Sequence, residues 1–178
     1  MLFAAIALIA AACAPTEEET GGGGETTEVP EEIVIGATLP LTGDEADAGG
    51  YFKEGYELAF KQVEDEGGLE VGGEQVPVRL ELLDDTTNQQ TAVNLAQKLV
   101  DDGAHALLGT YSTELVQAQS TVGEQNQIPY VNGGGAATAI YERGYKWIFG
   151  ALGPIESLAI SEMEWIEKHQ ELGHLPKP

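Results

Sequence analysis

The sequence predicts an α/β fold, a parallel sheet flanked by helices on both faces. Three observations carry that expectation. From Ile33 onward, compact apolar runs alternate with stretches whose apolar residues recur at helical spacing. The helical stretches stop on glycine, at Gly67-Gly68 and again at Gly103. Two of the apolar runs pass directly into small, polar turns: Leu107-Leu108-Gly109-Thr110-Tyr111-Ser112-Thr113 and Ile128-Pro129-Tyr130-Val131-Asn132-Gly133-Gly134-Gly135-Ala136-Ala137-Thr138. Strands joined through helices pair in parallel, and such sheets hold ligands at the carboxyl ends of their strands, near a reversal of strand order.

The elements follow in order. Ile33 to Thr38 is a buried strand bounded by Leu39-Pro40. Phe52, Gly55, Tyr56, Ala59, Phe60 and Val63 mark the first helix. Val76, Val78, Leu80 and Leu82 alternate with Pro77, Arg79 and Glu81, the period of a strand, and Pro77 near its start places it at an edge. Asp84-Asp85 closes it. Thr87 with Gln90 reads as a capping box for a second helix with Ala92, Leu95, Ala96, Leu99 and Val100 on one face. His105 to Gly109 is the third strand. Ser112 or Thr113 caps the third helix, whose inner face is Leu115, Ala118, Gln119 and Val122. Ile128 to Val131 is the fourth strand, Ala137 to Glu142 a short helix, and Lys146 to Gly150 the fifth strand. Ile155, Ala159, Met163 and Ile166 mark a last helix ending near His169.

The two glycine-rich turns, with Leu39-Pro40-Leu41-Thr42-Gly43-Asp44 after the first strand, form one edge of this sheet. Hydroxyls and free N–H groups at such an edge suit a small anionic group such as a carboxylate or phosphate. Ser112 and Thr113 can both cap a helix and hold a carboxylate. Gly133 to Gly135 allow close backbone approach. Tyr111 and Tyr130 could stack on a ligand, although Tyr130 within a strand reads as core. A dinucleotide fingerprint fits poorly, since Thr138 stands where its third glycine belongs and the first strand lacks such glycines. No nucleophile and base pair up, so an enzyme is not expected. His105 reads as structural, His169 and His174 have poor spacing for a metal, and no cofactor is expected. Asp84, Asp85, Asp101 and Asp102 read as solvated element ends, with one of Asp84 or Asp85 able to line the cleft.

Composition narrows the function further. The 178 residues include 30 acidic and 8 basic side chains, a formal net charge of −22. Nucleic acid as a partner is excluded by that balance, because its affinity comes largely from Lys and Arg on phosphates. Adsorption to an anionic membrane surface is equally disfavoured. Met1 to Ala12 is an unbroken apolar run, too short to span a bilayer but suited to the core of a signal peptide, although it lacks the basic start. Cys13 is the only cysteine, so no internal disulfide is possible. Ala10-Ala11-Ala12-Cys13 resembles the lipobox of bacterial lipoproteins, with Ala10 where leucine is usual. The alternative is an ordinary signal peptide with an incidental cysteine. Residues 14–32 hold almost no packable side chain and read as a flexible acidic tether.

The ordered series Ile35-Gly36…Pro40-Leu41-Thr42-Gly43, Gly55…Leu58-Ala59, Gly67-Gly68, Leu83-Asp84-Asp85, Ala92-Val93…Ala96…Leu99-Val100, Leu108-Gly109-Thr110-Tyr111-Ser112, Ile128-Pro129-Tyr130-Val131 and Arg143-Gly144-Tyr145 resembles the substrate-binding lipoproteins of branched-chain amino-acid-type ABC transporters, with the type I periplasmic-binding-protein fold. That resemblance implies an extracytoplasmic, lipid-anchored protein that captures an amino acid or similar solute and delivers it to a membrane permease. It implies that Ser112 and Thr113 bind the ligand carboxylate. The turn after the fourth strand would offer a backbone carbonyl to the ammonium and a hydroxyl or N–H to the carboxylate, at Gly134 and Ala136 by spacing, or at Thr138 by motif. Tyr111 joins these as a candidate wall. A ligand-sensing domain of a receptor or regulator with the same fold is the alternative.

The resemblance further implies a signal peptide at 1–12, a lipidated Cys13 with a tether to residue 32, a first lobe at 33–150, and a crossover with the first helix of a second lobe at 151–178. Members of the family have two lobes, and the second supplies the acidic partner of the ammonium and the aromatic walls. The chain reads as a fragment of such a protein, leaving apolar surface exposed and prone to aggregate. The expected outcome is that residues 33–178 alone bind ligand weakly or not at all. Calorimetry returning a sub-micromolar dissociation constant would overturn that expectation.

Overall fold

The computed structural model describes residues 29–176. The expected signal segment, Cys13 and the tether up to residue 28 lie outside the described residues. In chain order the elements are β1 (Ile33–Leu39), α1 (Ala46–Asp65), β2 (Leu69–Val71), β3 (Glu74–Val76), β4 (Val78–Asp84), α2 (Gln89–Asp101), β5 (Ala106–Leu108), α3 (Thr113–Asn126), β6 (Tyr130–Asn132), a 3-10 turn (Thr138–Ile140), β7 (Ile148–Gly150) and α4 (Ile155–Glu171).

Five strands form one parallel sheet in the order β4-β1-β5-β6-β7. The chain leaves β1 for the β4 edge, then returns across β1 to β5 and continues outward. The direction reverses between β1 and β5, which places the switch point at their carboxyl ends. Right-handed crossovers then put α1 on one face and α2 with α3 on the other. Accordingly α1 packs on β4 and β1, while α2 and α3 pack together, α2 over β1 and α3 over β6 and β7. Leu107 and Tyr130, paired across β5 and β6, point into the α2–α3 side. There Ala96, Leu99, Val116, Val122 and Ile140 complete a buried cluster. The opposite face is thinner: α1 buries only Gly49, and Phe149 of β7 is 51% exposed.

Two expectations change. The strand expected over Val76 to Leu82 is divided at Pro77, which has no N–H to donate. Its first part pairs back on Leu69–Val71 as a separate antiparallel hairpin, β2–β3. The two-residue turn is Gly72-Gly73, with φ of 62° and 91°, the positive values such a hairpin needs. The remainder, β4, does lie at the sheet edge. The second difference is the start of α2. Its N-cap is Asn88, whose side chain accepts from the Thr91 N–H at 3.0 Å. Thr87 does not cap, because its hydroxyl is committed elsewhere: it donates to the Thr42 carbonyl and accepts from the Glu45 N–H.

His105 is structural, as expected. Its Nδ1 accepts from the Val34 N–H at 3.1 Å, and its own N–H donates to the Val34 carbonyl at 2.8 Å. Helix α4 has no buried residue and presents Leu158, Ile160, Met163 and Trp165 to solvent. Among the described residues no helix is long and apolar enough to cross a membrane.

The reassigned cap gives a direct test. Asn88→Ala is expected to lower stability by about 1 kcal/mol, while Gln90→Ala changes it little. Urea unfolding of the two variants checks this, and equal losses would return the cap to the Thr87–Gln90 pair.

Candidate ligand-binding site

The carboxyl ends of β1, β4 and β5 are joined by a buried polar network. Asp85, with 0% exposure, accepts the Thr38 hydroxyl at 2.9 Å and the Thr110 hydroxyl at 2.5 Å on one oxygen. The other oxygen accepts the Thr87 N–H at 3.1 Å. Gln119 of α3 extends the network. Its Nε2 donates to the Thr38 hydroxyl at 2.6 Å, and its Oε1 accepts from the Tyr130 phenol at 2.8 Å and the Thr110 N–H at 3.3 Å. No buried side-chain polar atom among the described residues lacks a partner. Burial pushes the Asp85 carboxyl above the usual range, against the pull of the Thr110 and Thr38 hydroxyls and the Thr87 N–H. Burial likewise raises the Tyr130 phenol, and raises that of Tyr56 to about 12.

Asp84 does a different task. It accepts the Leu41, Thr42 and Thr86 N–H groups and the Thr42 hydroxyl, at 2.7 to 3.2 Å. Partial burial pushes its pKa up, but these bonds, led by the Thr42 hydroxyl, outweigh it and leave the pKa below the ordinary value. Asp84 and Asp85 are therefore not solvated ends, as the sequence suggested. They pin the loop after β1 to the loop after β4. Asp101 and Asp102 are exposed, as expected.

The loop after β5 carries the predicted site. Thr110 is locked by Asp85 and Gln119, and Tyr111 packs against Phe52 of α1, ring centroids 5.5 Å apart. Tyr56 of the same helix donates to the Gly109 carbonyl at 2.9 Å. Ser112 then adopts φ 80° and ψ 150°, a conformation close to glycine's own territory. Ser112 occupies the N-cap position of α3 without a side-chain hydrogen bond to the helix amides. Thr113 does not cap either. Its hydroxyl accepts from the Ala136 N–H at 3.3 Å and joins the β5 loop to the β6 loop. The two loops touch again at Gly134, where a Cβ would run into the Thr110 carbonyl.

Inside the β6 loop, Asn132 is fully buried and holds the turn from within: its Oδ1 accepts the Gly134 and Gly135 N–H groups at 3.2 and 2.8 Å. Thr138 faces away from the other candidates. Its hydroxyl and N–H both donate to the Glu156 carboxylate at the start of α4, at 2.8 and 3.3 Å. The Ala136 carbonyl accepts from the Ile155 N–H at 2.7 Å. The structure thus brings Ser112, Thr113, Gly134 and Ala136 together, with Tyr111 beside them and Thr138 tied to the crossover. The loop after β1 joins the loop after β4 and reaches the site only across a hollow of about 570 Å³. Glu45, Thr87, Asn88, Ser112 and Glu114 are among the residues that line that hollow. A larger groove of about 680 Å³ between α1 and β4 lies at the other end of the sheet. Among the described residues no group of three His, Cys, Asp or Glu side chains could hold a metal ion.

Sequence reasoning missed the Asp85 network and Asn132. A signal for the first was present: Thr38, Thr110 and Gln119 are polar residues at positions whose neighbours are apolar.

The architecture is a parallel lobe whose β5 and β6 loops meet at the carboxyl ends of the strands. The family model of periplasmic binding proteins matches residues 32–171, and the chain belongs to that family. It is 33% identical over 138 residues to Leu/Ile/Val-binding protein homolog 8 of Brucella abortus (strain 2308), covering 77% of this chain and 33% of the relative. The chain therefore spans about a third of the length of the curated relatives it matches. Solved structures share the fold. The branched-chain amino acid transporter substrate binding protein LivJ of Streptococcus pneumoniae, in complex with isoleucine, superposes with a TM-score of 0.63 at 18% identity, over 69% of this chain and 34% of that one. An ABC transporter substrate-binding protein of Desulfitobacterium hafniense, in complex with Leu, gives 0.64 at 22% identity, over 78% and 39%.

The Asp85 network has a pH signature. A buried carboxyl with a raised pKa is more stably accommodated protonated than ionised. Its contribution is therefore fully present below the ordinary carboxylate range and is lost as pH rises through the folded pKa. The stability of the native protein minus that of Asp85→Asn is expected to fall over that interval. Denaturant unfolding of both proteins from acid to neutral pH measures the difference, and a flat difference profile would refute the assignment.

Proposed function

We propose that this chain supplies the first ligand-binding lobe of the solute-binding component of an ABC importer, capturing an amino acid or similar small carboxylate outside the cytoplasm. The observation that carries the reading is the Ala136 N–H to Thr113 hydroxyl contact of 3.3 Å, which fastens the two turns side by side at the switch point. Residues 33–150 form the lobe, and 151–178 the crossover with the first helix of a second lobe.

The roles follow from the donors. Accepting from Ala136 leaves the Thr113 hydroxyl hydrogen free for a ligand carboxylate. The Ser112 hydroxyl, with no partner of its own among the described residues, supplies a second donor next to the amides of the first turn of α3, where the helix dipole favours an anion. Gly134 and Ala136 border the same place, with the Gly134 N–H already held by Asn132 and the Ala136 N–H and carbonyl by Thr113 and Ile155. Relatives named for binding Leu, Ile and Val support an amino acid as solute, and fold neighbours described as ABC transporter substrate-binding proteins support a membrane permease as partner. Cys13 in its lipobox-like setting supports a lipid anchor as the sole attachment to the membrane.

Titration of the isotope-labelled chain with L-leucine, followed by amide chemical shifts, tests the reading. Shifts are expected at Ser112, Thr113, Gly134 and Ala136, at about millimolar affinity. Ser112→Ala is expected to weaken binding roughly tenfold, the effect of one hydrogen bond to a charged group. Shifts confined to the α1–β4 groove, or an affinity unchanged in Ser112→Ala, would refute it.

A further inference from the structure

Asn132 and Tyr141 close a ring between the glycine turn and the crossover. The Asn132 side-chain nitrogen donates to the Gly135 carbonyl at 2.7 Å and to the Tyr141 phenol oxygen at 2.8 Å. With its oxygen held by the Gly134 and Gly135 N–H groups, this amide has no spare capacity. The phenol passes its own hydrogen to the Leu152 carbonyl at 3.3 Å. From the far side, the Asn132 main-chain carbonyl accepts the Ala151 N–H at 2.8 Å and the Leu152 N–H at 3.4 Å. The same residue therefore shapes the turn with its side chain and holds the crossover with its backbone, and Tyr141 bridges the two. The fit is close. A Cβ on Gly150, the last residue of β7, would run into the Tyr141 phenol oxygen.

We propose that Tyr141 is a positioning residue that makes the Gly133–Ala136 turn and the Ala151–Ile155 crossover one mechanical unit. A shift of the crossover then reshapes the ligand-facing turn, and a ligand that orders the turn restrains the crossover. Hydrogen-bonded chains of this kind polarise and reinforce one another, so losing the central hydroxyl loosens both ends together. The proposal deepens the ligand-site reading, but its test needs no ligand, so the two can fail separately.

Hydrogen exchange of the full chain, read on peptides covering 132–136 and 150–156, tests it. Tyr141→Phe keeps the ring and removes the bridge. Both segments are expected to exchange roughly five- to tenfold faster while peptides of α2 and β1 are unchanged. Gly150→Ala, which displaces the phenol but keeps it, is expected to give the same paired pattern. Leu99→Ala, a core truncation, supplies the signature of general destabilisation. Acceleration of one segment alone, of neither, or of the whole lobe as in Leu99→Ala would overturn the proposal.

Discussion

The carboxylate of Asp85 lies fully buried where β4 ends, and the ends of β1 and β5 are built around it through the hydroxyls of Thr38 and Thr110. An acid in that position is tolerable only when its oxygens are hydrogen-bonded, and here three donors reach them. The arrangement fixes more than the strands. Thr110 is the residue from which the β5 loop departs, and Gln119 ties it to α3 and Tyr130. Sheet edge, helix and loop are set by a single network at the one place where strand order reverses.

Around that anchor the lobe is asymmetric. The α2–α3 side carries the apolar cluster of Leu99, Leu107, Val116, Val122, Tyr130 and Ile140. The α1 side is thinner, and α4 packs none of its apolar residues away. The acidic surface adds little cohesion. Its ion pairs, such as Lys61 with Asp65 and Lys98 with Asp102, are exposed i,i+4 contacts within helices, a class worth a fraction of a kcal/mol. Packing on one face and the polar network at one edge therefore hold the loops in place.

The strand and helix succession was legible because its cause is local: periodic apolar residues and glycine stops. The candidate site was proposed at the level of loops, since hydroxyls and glycines at strand ends need no tertiary knowledge to be noticed. What escaped depended on competition between partners. Thr87 looks like a cap until Thr42 and Glu45 claim its hydroxyl, and Asn88 then takes the role. Asp84-Asp85 looks like a solvated pair because the sequence cannot show that Thr38 and Thr110 arrive beside it from distant strands. The β2–β3 hairpin is the exception, since Gly72-Gly73 followed by Pro77 marked it locally and was absorbed into one longer strand.

Ser112 shows how these parts combine. A serine at φ 80° and ψ 150° is strained by about 1–3 kcal/mol relative to a relaxed backbone. Relaxation would require moving a neighbour, and each is held. Thr110 is bound into the Asp85 network, Tyr111 rests on Phe52, Thr113 is fastened to Ala136, and Gly134 lies against the Thr110 carbonyl with no room for a side chain. The strain is sustained by the fold, and the Ser112 hydroxyl makes no capping bond to the helix it precedes. On the proposed reading, a carboxylate arriving at this edge meets donors already ordered by the protein's own packing, so little further ordering is needed on binding. The buried acid at the sheet edge and the half-buried Ser112 at the loop are thus two ends of one construction.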